Sequence, residues 1–308
     1  MKYSKFFLEI GIFFLLILSG CNKEMKIPVY FQVDSVDFAA DYSIYGTASH
    51  KITDVWVTVN GISLGVYELP AKFPVLAEGR AKIQFSPGIM MNGLTTKRPV
   101  YPMYTTYLLT KELQPDSVYT FRPSFTYENY VAFAFKEDFE DAGFKFAAID
   151  TGAQLQKTVP EDSIFHYPGE LNNYSGKITI SKETGSFFEI VTNEAFALRY
   201  NNMRYCFLEL NYCMEAGNNQ QNTASSLENL DVEVGIYSNY VTGITVQNPL
   251  IKIRPSVTWK KMYINVTETI NNHSTFLKDF TVYIKGTTKE GMTATCMFDN
   301  IKLIYIPY

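Results

Sequence analysis

From residue 27 onward apolar and polar positions alternate over short runs, and Gly, Pro and Asn break the runs apart. A period of two sends successive side chains to opposite faces of a strand, so the pattern predicts β-structure and no amphipathic helix longer than about a turn or two. Residues 27–38 read as an opening strand. Residues 52–59 and 62–67 flank Asn60-Gly61, a pair that tolerates positive φ at both central turn positions, and so predict a hairpin. Residues 69–74 are expected to leave the sheet, because Pro70 and Pro74 cannot donate to a central ladder. A strand over 81–85 is expected to stop at Pro87-Gly88, and residues 117–125 form another. Beyond residue 135 the alternation returns over 176–180, 186–192, 205–214, 230–238, 259–267, 280–285 and 299–306.

This pattern predicts an all-β chain of two antiparallel β-sandwich domains, the second a jelly roll. The expected division is a leader over 1–20, a tether over 21–26, an immunoglobulin- or prealbumin-like sandwich over 27–130 and a jelly-roll, galactose-binding-like domain over 135–308. At 308 residues the chain is longer than one typical domain, which agrees. A net charge of -4 leaves no electrostatic footprint for nucleic acid, so that partner class is set aside.

The N-terminus changes the setting. Lys2 and Lys5 precede an apolar run over 10–18, too short to span a bilayer as a mature helix, and Leu18-Ser19-Gly20-Cys21 follows. These four residues resemble the bacterial lipoprotein lipobox. That resemblance implies acylation of Cys21, loss of residues 1–20 and a membrane partner reached through lipid, with the outer membrane as the expected location. The layout resembles surface-exported lipoproteins of the Bacteroidota, but Glu24 is the only acid after Cys21, so cell surface and periplasmic face both stay open. With Cys21 assigned to lipid, Cys206, Cys213 and Cys296 remain. Seven residues apart in one strand, Cys206 and Cys213 lie roughly 23 Å apart and cannot bridge. Buried free thiols are favoured, and a bridge from Cys296 stays open.

Two further resemblances bear on the domains. Residues 46–93, with Asn60-Gly61, Glu78-Gly79, Pro87-Gly88 and Asn92-Gly93, look like the N-terminal region of uncharacterised Bacteroidota lipoproteins and like PEGA or carboxypeptidase-regulatory sandwiches. Those modules are structural or binding units. The second half resembles the jelly rolls of carbohydrate-binding modules through Asp138-Phe139-Glu140, the stretch 259–266 and Asp299-Asn300-Ile301. This resemblance implies a polysaccharide ligand, no catalysis and no required cofactor. It also implies a structural calcium ion shared by Glu140 and Asp299, with backbone carbonyls supplying most of the shell.

Candidate chemistry is sparse. His50, His166 and His273 stand at no metal-ligand spacing and are expected on the surface or in loops. No nucleophile elbow, zinc-protease helix, phosphate loop or dinucleotide fingerprint is present. Asp231 and Glu233 share a strand face, as glycosidase carboxylates do, but no third supporting acid accompanies them. Aromatic residues carry the better lead, since sugar rings dock on exposed aromatic faces. Trp259 and Tyr263 alternate with Met262, Ile264 and Val266; if the aliphatic set is core, the aromatic pair points outward. Tyr101 and Tyr104 crowd a loop-like tract near Arg98. The expected function is glycan binding through Trp259 and Tyr263; the alternative is a structural or adaptor subunit docking on an envelope protein through residues 98–107.

Overall fold

A computed structural model describes residues 27–148, 152–199, 201–217, 222–272, 276–289 and 292–308. The leader, Cys21, the tether and His273 lie outside the described residues. The first half carries β1 (Val29–Val33), β2 (Asp37–Phe38), β3 (Ile52–Val59), β4 (Ile62–Glu68), β5 (Ala71–Val75), β6 (Gly79–Ile89), β7 (Tyr107–Leu113), β8 (Val118–Phe121) and β9 (Ser124–Phe125). The second carries β10 (Ala132–Glu137), β11 (Phe146–Ala148), β12 (Gln156–Lys157), β13 (Gly176–Ile180), β14 (Phe187–Thr192), β15 (Met203–Ala216), β16 (Leu230–Tyr240), β17 (Thr245–Ile253), β18 (Lys260–Asn265), β19 (Leu277–Thr288) and β20 (Ala294–Pro307). Among the described residues helix is confined to short turns such as α1 (Tyr42–Tyr45) and α2 (Thr267–Asn272). The chain is all-β, as the alternation predicts.

In the first unit a sheet in the order β4-β3-β6-β7 faces a smaller one in the order β5-β1-β8. The β3–β4 turn has Asn60 at φ 51° and Gly61 at φ 81°, which is the positive-φ hairpin read from Asn-Gly. Three expectations are corrected. The unit is mixed and not purely antiparallel, because β1 pairs with β8 and β2 with β9 in parallel. Residues 71–75 stay in a sheet as β5; that strand is an edge, where Pro74 forfeits no central ladder bond. Strand β6 runs through Pro87-Gly88 to Ile89, because β7 ends its pairing at Phe85 and segment 99–101 takes its place through the Pro87 carbonyl, which accepts from the Tyr101 amide at 2.9 Å. The Tyr101 carbonyl accepts from the Tyr104 amide at 3.3 Å and needs no donor from Pro87. At Gly88 a Cβ would stand 2.8 Å from the Asp54 Cβ, so only glycine lets β3 and β6 close at that point.

The second unit is a sandwich of two antiparallel sheets. One has the order β12-β13-β20-β15-β18, with β10 also on β20; the other has the order β11-β14-β19-β16-β17. Between them lies one core, from Phe135 through Leu303. Along β15, β18 and β20 the large sheet is covered on both faces. Phe207, Tyr263, Ile304 and Ile306 project from it into the core of the first unit, whose own members run from Val29 to Val131. This explains why β15 is buried along most of its length although Glu209 and Asn211 interrupt its apolar run.

Strand β20 organises the second feature. Its one edge is shared: β10 pairs over Ile301–Tyr305 and β13 over Ala294–Phe298. Between these partners Asp299 and Asn300 face a gap in the ladder, and Asn300 takes φ 49°. Cys206, Cys213 and Cys296 are buried without a disulfide. Burial holds their thiols up, Cys213 at about 11, so they stay protonated at neutral pH.

Candidate functional site

The aromatic residues singled out from the sequence do not share a surface. Tyr263 is 1% exposed, and Tyr101 and Tyr104 are buried beside it. The alternation along β18 was read correctly as two faces, but the second face meets the first unit and not solvent. The Tyr263 hydroxyl accepts from the Lys51 amide at 2.8 Å and lies 3.1 Å from that of Tyr104, and the Tyr263 and Tyr101 rings stand 4.8 Å apart. Trp259 precedes β18, half-buried and edge-on to Phe165 at 5.5 Å. The expected outward pair of Trp259 and Tyr263 is thus corrected. So is the idea that residues 98–107 offer tyrosines to a foreign protein, because Tyr101 and Tyr104 pack against the chain's own second unit. His50, expected at the surface, is enclosed near this junction; burial and then Lys261 push its imidazole down to about 4.

The junction is centred on residues that the sequence reading missed. Tyr101 and Tyr127 donate to the two oxygens of Glu209 at 2.8 and 3.0 Å. Lys261 Nζ lies 2.5 Å from Glu209 Oε2 as an ion contact that lacks hydrogen-bond geometry. Lys302 Nζ donates to Thr47 O at 2.8 Å. Burial pushes the Glu209 carboxyl up, but Lys261 and Lys302 overcome it and hold the group below its ordinary value. A Glu and an Asn inside an otherwise apolar strand were the available signal: buried polar side chains require partners.

At the gap in the β20 ladder a cleft opens, lined by Tyr42, Lys136, Asp138, Glu140, Lys145 and Asn300. Glu140 accepts from the Asn173 amide and side chain at 2.7 and 2.9 Å and from the Tyr174 amide at 3.0 Å. Asp299 accepts from Ser175 Oγ and the Asn300 amide, each at 2.6 Å. The two acids therefore hold segment 173–175 from both sides, as β13 begins. Burial raises the Asp299 carboxyl well above the ordinary range, and Asp138 and Glu140 raise it further. The Asn300 side chain is 2% exposed, and neither its oxygen nor its nitrogen has a partner. Among the described residues no three His, Cys, Asp or Glu side chains converge as a metal cage. A hard cation here would have two carboxylates and the orphaned Asn300 oxygen; that donor set suits calcium if backbone oxygens complete it.

The smaller sheet of the second unit keeps its outer face free of the first unit. Register aligns Lys252, Glu233, Lys285 and Glu189 in one row across β17, β16, β19 and β14. Lys285 lies 3.0 Å from Glu233 Oε1, which also accepts from the Tyr283 hydroxyl at 2.7 Å. Tyr237 crosses over β19 and donates to Glu189, and its ring lies 4.8 Å from that of Tyr283. Gly235 makes this possible, since a Cβ there would collide with the Tyr283 ring. Tyr237 is half-exposed and Tyr283 is covered. The result is a half-exposed aromatic ring tethered on the sheet face and tilted 41° to its neighbour, bordered by carboxylates and amines. Asp231 is exposed and lies 3.4 Å from Lys252, and the two line a small pocket on this face together with Glu233 and Lys285.

No family model matches the chain, and no curated protein matches it. Among solved structures, it is similar to the CBM22-1 xylan-binding domain of Paenibacillus barcinonensis Xyn10C, at 10% identity over 57% of this chain and 96% of that one, with a TM-score of 0.38. It is also similar to the C-terminal family 22 carbohydrate-binding module of Clostridium thermocellum Xyn10B, at 10% identity over 56% and 94%, with a TM-score of 0.37. A carbohydrate-binding module of the β-sandwich superfamily aligns over 81% of this chain and 84% of its own, at 11% identity and a TM-score of 0.37. Likeness at this level fixes neither ligand nor binding residues.

Proposed function

We propose that this chain is a lipid-anchored envelope protein that binds glycan, without catalysis, on the outer face of the β11-β14-β19-β16-β17 sheet. The observation that carries the reading is the Tyr237–Tyr283 pair, tethered by Glu189 and Glu233 on the sheet face that the first unit does not cover. A pyranose ring stacks its C–H surface on such an aromatic face, while carboxylates and amines at the margin exchange hydrogen bonds with its hydroxyls. Because the phenols are already tethered, little side-chain entropy remains to be lost when a ligand arrives. The large sheet cannot serve this role, since its Tyr263 and Phe207 are taken up by the first unit.

The anchor in this reading is Cys21, within Leu18-Ser19-Gly20-Cys21. A multiply acylated cysteine is held firmly, at about 0.8 kcal/mol for each buried methylene. Among the described residues no helix is long and apolar enough to cross a membrane. Glu140, Asp299 and Asn300 would hold a structural calcium ion, which would neutralise buried charge and fix the start of β13. The test of ligand class is affinity electrophoresis of the protein through gels loaded with soluble plant, fungal and bacterial polysaccharides. Retardation by at least one of them is expected; uniform migration in every gel refutes glycan binding.

A further inference from the structure

One end of the first unit carries an apolar surface that none of this explains. The β3–β4 turn at Asn60-Gly61, the β5–β6 turn at 76–78, the start of β8 and the start of β1 all lie there, because Val29 pairs with Val75 and Tyr30 with Val118. Ile27 is 59% exposed, Ile62 68%, Leu76 67% and Val118 51%. Val59, Ile62, Leu64, Val75 and Leu76 line a shallow groove between the edge strands β4 and β5. Exposed aliphatic residues scattered singly need no account, but four gathered at one end do.

The same end is where the chain departs toward Cys21. Pro28 is fixed there, its carbonyl accepting from the Asp116 amide at 3.1 Å. Residues 22–26 alone separate Ile27 from Cys21, so Ile27 can stand no farther than ~22 Å from the acylated residue even with the chain fully extended. We propose that this end of the first unit rests on the phospholipid bilayer, with Ile27, Ile62, Leu76 and Val118 in the interfacial layer. The proposal rests on the lipid-anchor reading above and adds an orientation to it. The tether makes contact with lipid an intramolecular event, so a patch too small to bind membranes alone is held there by local concentration. Glu78 and Asp116 are exposed beside the patch, so the attraction is apolar and not a pairing with anionic headgroups. A second exposed apolar group, Val241, Ile244 and Phe276, lies on the other unit and has no such link to the anchor.

The two surfaces can be told apart directly. The full-length chain, produced with its leader in a lipidating bacterium, is reconstituted into vesicles of phosphatidylethanolamine and phosphatidylglycerol containing a headgroup-proximal spin-labelled lipid. A small thiol-reactive fluorophore is placed in turn on Ile62→Cys, Leu76→Cys, Ile244→Cys and Leu171→Cys; the native Cys206, Cys213 and Cys296 are buried and do not compete. The expected result is quenching at Ile62→Cys and Leu76→Cys several-fold above that at the exposed Leu171→Cys. Quenching no greater than at Leu171→Cys, or greatest at Ile244→Cys, overturns the proposal. Incorporation of labelled palmitate is measured in the same cells. Label without quenching sinks the orientation and leaves the anchor standing, whereas absence of label removes both.

Discussion

At the scale of single residues, the junction shows how burial and charge are balanced. Lys302 is enclosed between the two units, and burial, aided by Lys261, lowers its amine to about 7. The unfolded chain keeps that proton to the ordinary lysine range, so between pH ~7 and ~10 the unfolded state binds more protons and stability rises with pH. Thermal melts should therefore show a Tm that climbs from neutral pH toward pH ~9, and Lys302→Met should flatten the climb. An unchanged slope in that variant would assign the effect elsewhere. Glu209 is the opposing charge. Glu209→Ala leaves Lys261 and two phenols unpaired in the interior, and chemical denaturation should register a loss of about 3–5 kcal/mol. Part of this was readable: Glu209 and Asn211 interrupt an apolar run, and a buried acid demands a counter-charge. Which lysines answer it was not readable, because Lys261 and Lys302 lie on different strands brought together only by sheet order.

At the scale of elements, local chemistry was legible where it is self-contained. Asn60-Gly61 specifies its turn whatever surrounds it, and the hairpin followed from the sequence. A proline's cost depends on what its N–H side meets, a property of sheet order: Pro74 sits on an edge strand, and the Tyr101 carbonyl beside Pro87 takes its donor from Tyr104 instead. Strand β17 escaped notice for a related reason: it is an edge strand, mostly exposed, and carries Pro249, so its alternation is weak. The ladder gap in β20 makes its own prediction. With Asp299 buried and its carboxyl held high by burial and by Asp138 and Glu140, a bound cation removes a repulsion that grows as the group ionises. Added calcium should raise the Tm of the chelator-treated protein, more at pH ~8 than at pH ~5, and Asp299→Asn should abolish most of the increment. A Tm indifferent to calcium would show that Glu140 and Asp299 serve only to hold segment 173–175.

At the scale of the whole molecule, the decisive fact is which sheet face each unit covers. Alternation along β18 distinguishes two faces, but it cannot say that one of them will be met by a second domain, and so Tyr263 was expected in solvent. The true candidate face was obscured for the opposite reason. Tyr237 and Tyr283 lie on neighbouring strands, forty-six residues apart in sequence, and the glycine that admits Tyr283 looks like any other in a strand. With β15, β18 and β20 covered by the first unit, the proposed ligand site falls to the smaller sheet, and the proposed anchor adjoins the far end of the first unit. The central claim is that Tyr237 forms the floor of a glycan site. Isothermal titration with a polysaccharide that retards the wild-type protein tests it most directly, comparing wild type with Tyr237→Ala. Loss of one stacking face should weaken binding about tenfold, equivalent to ~1.4 kcal/mol, with the melting profile retained. Wild-type affinity in Tyr237→Ala would contradict the claim and place the ligand elsewhere on the molecule.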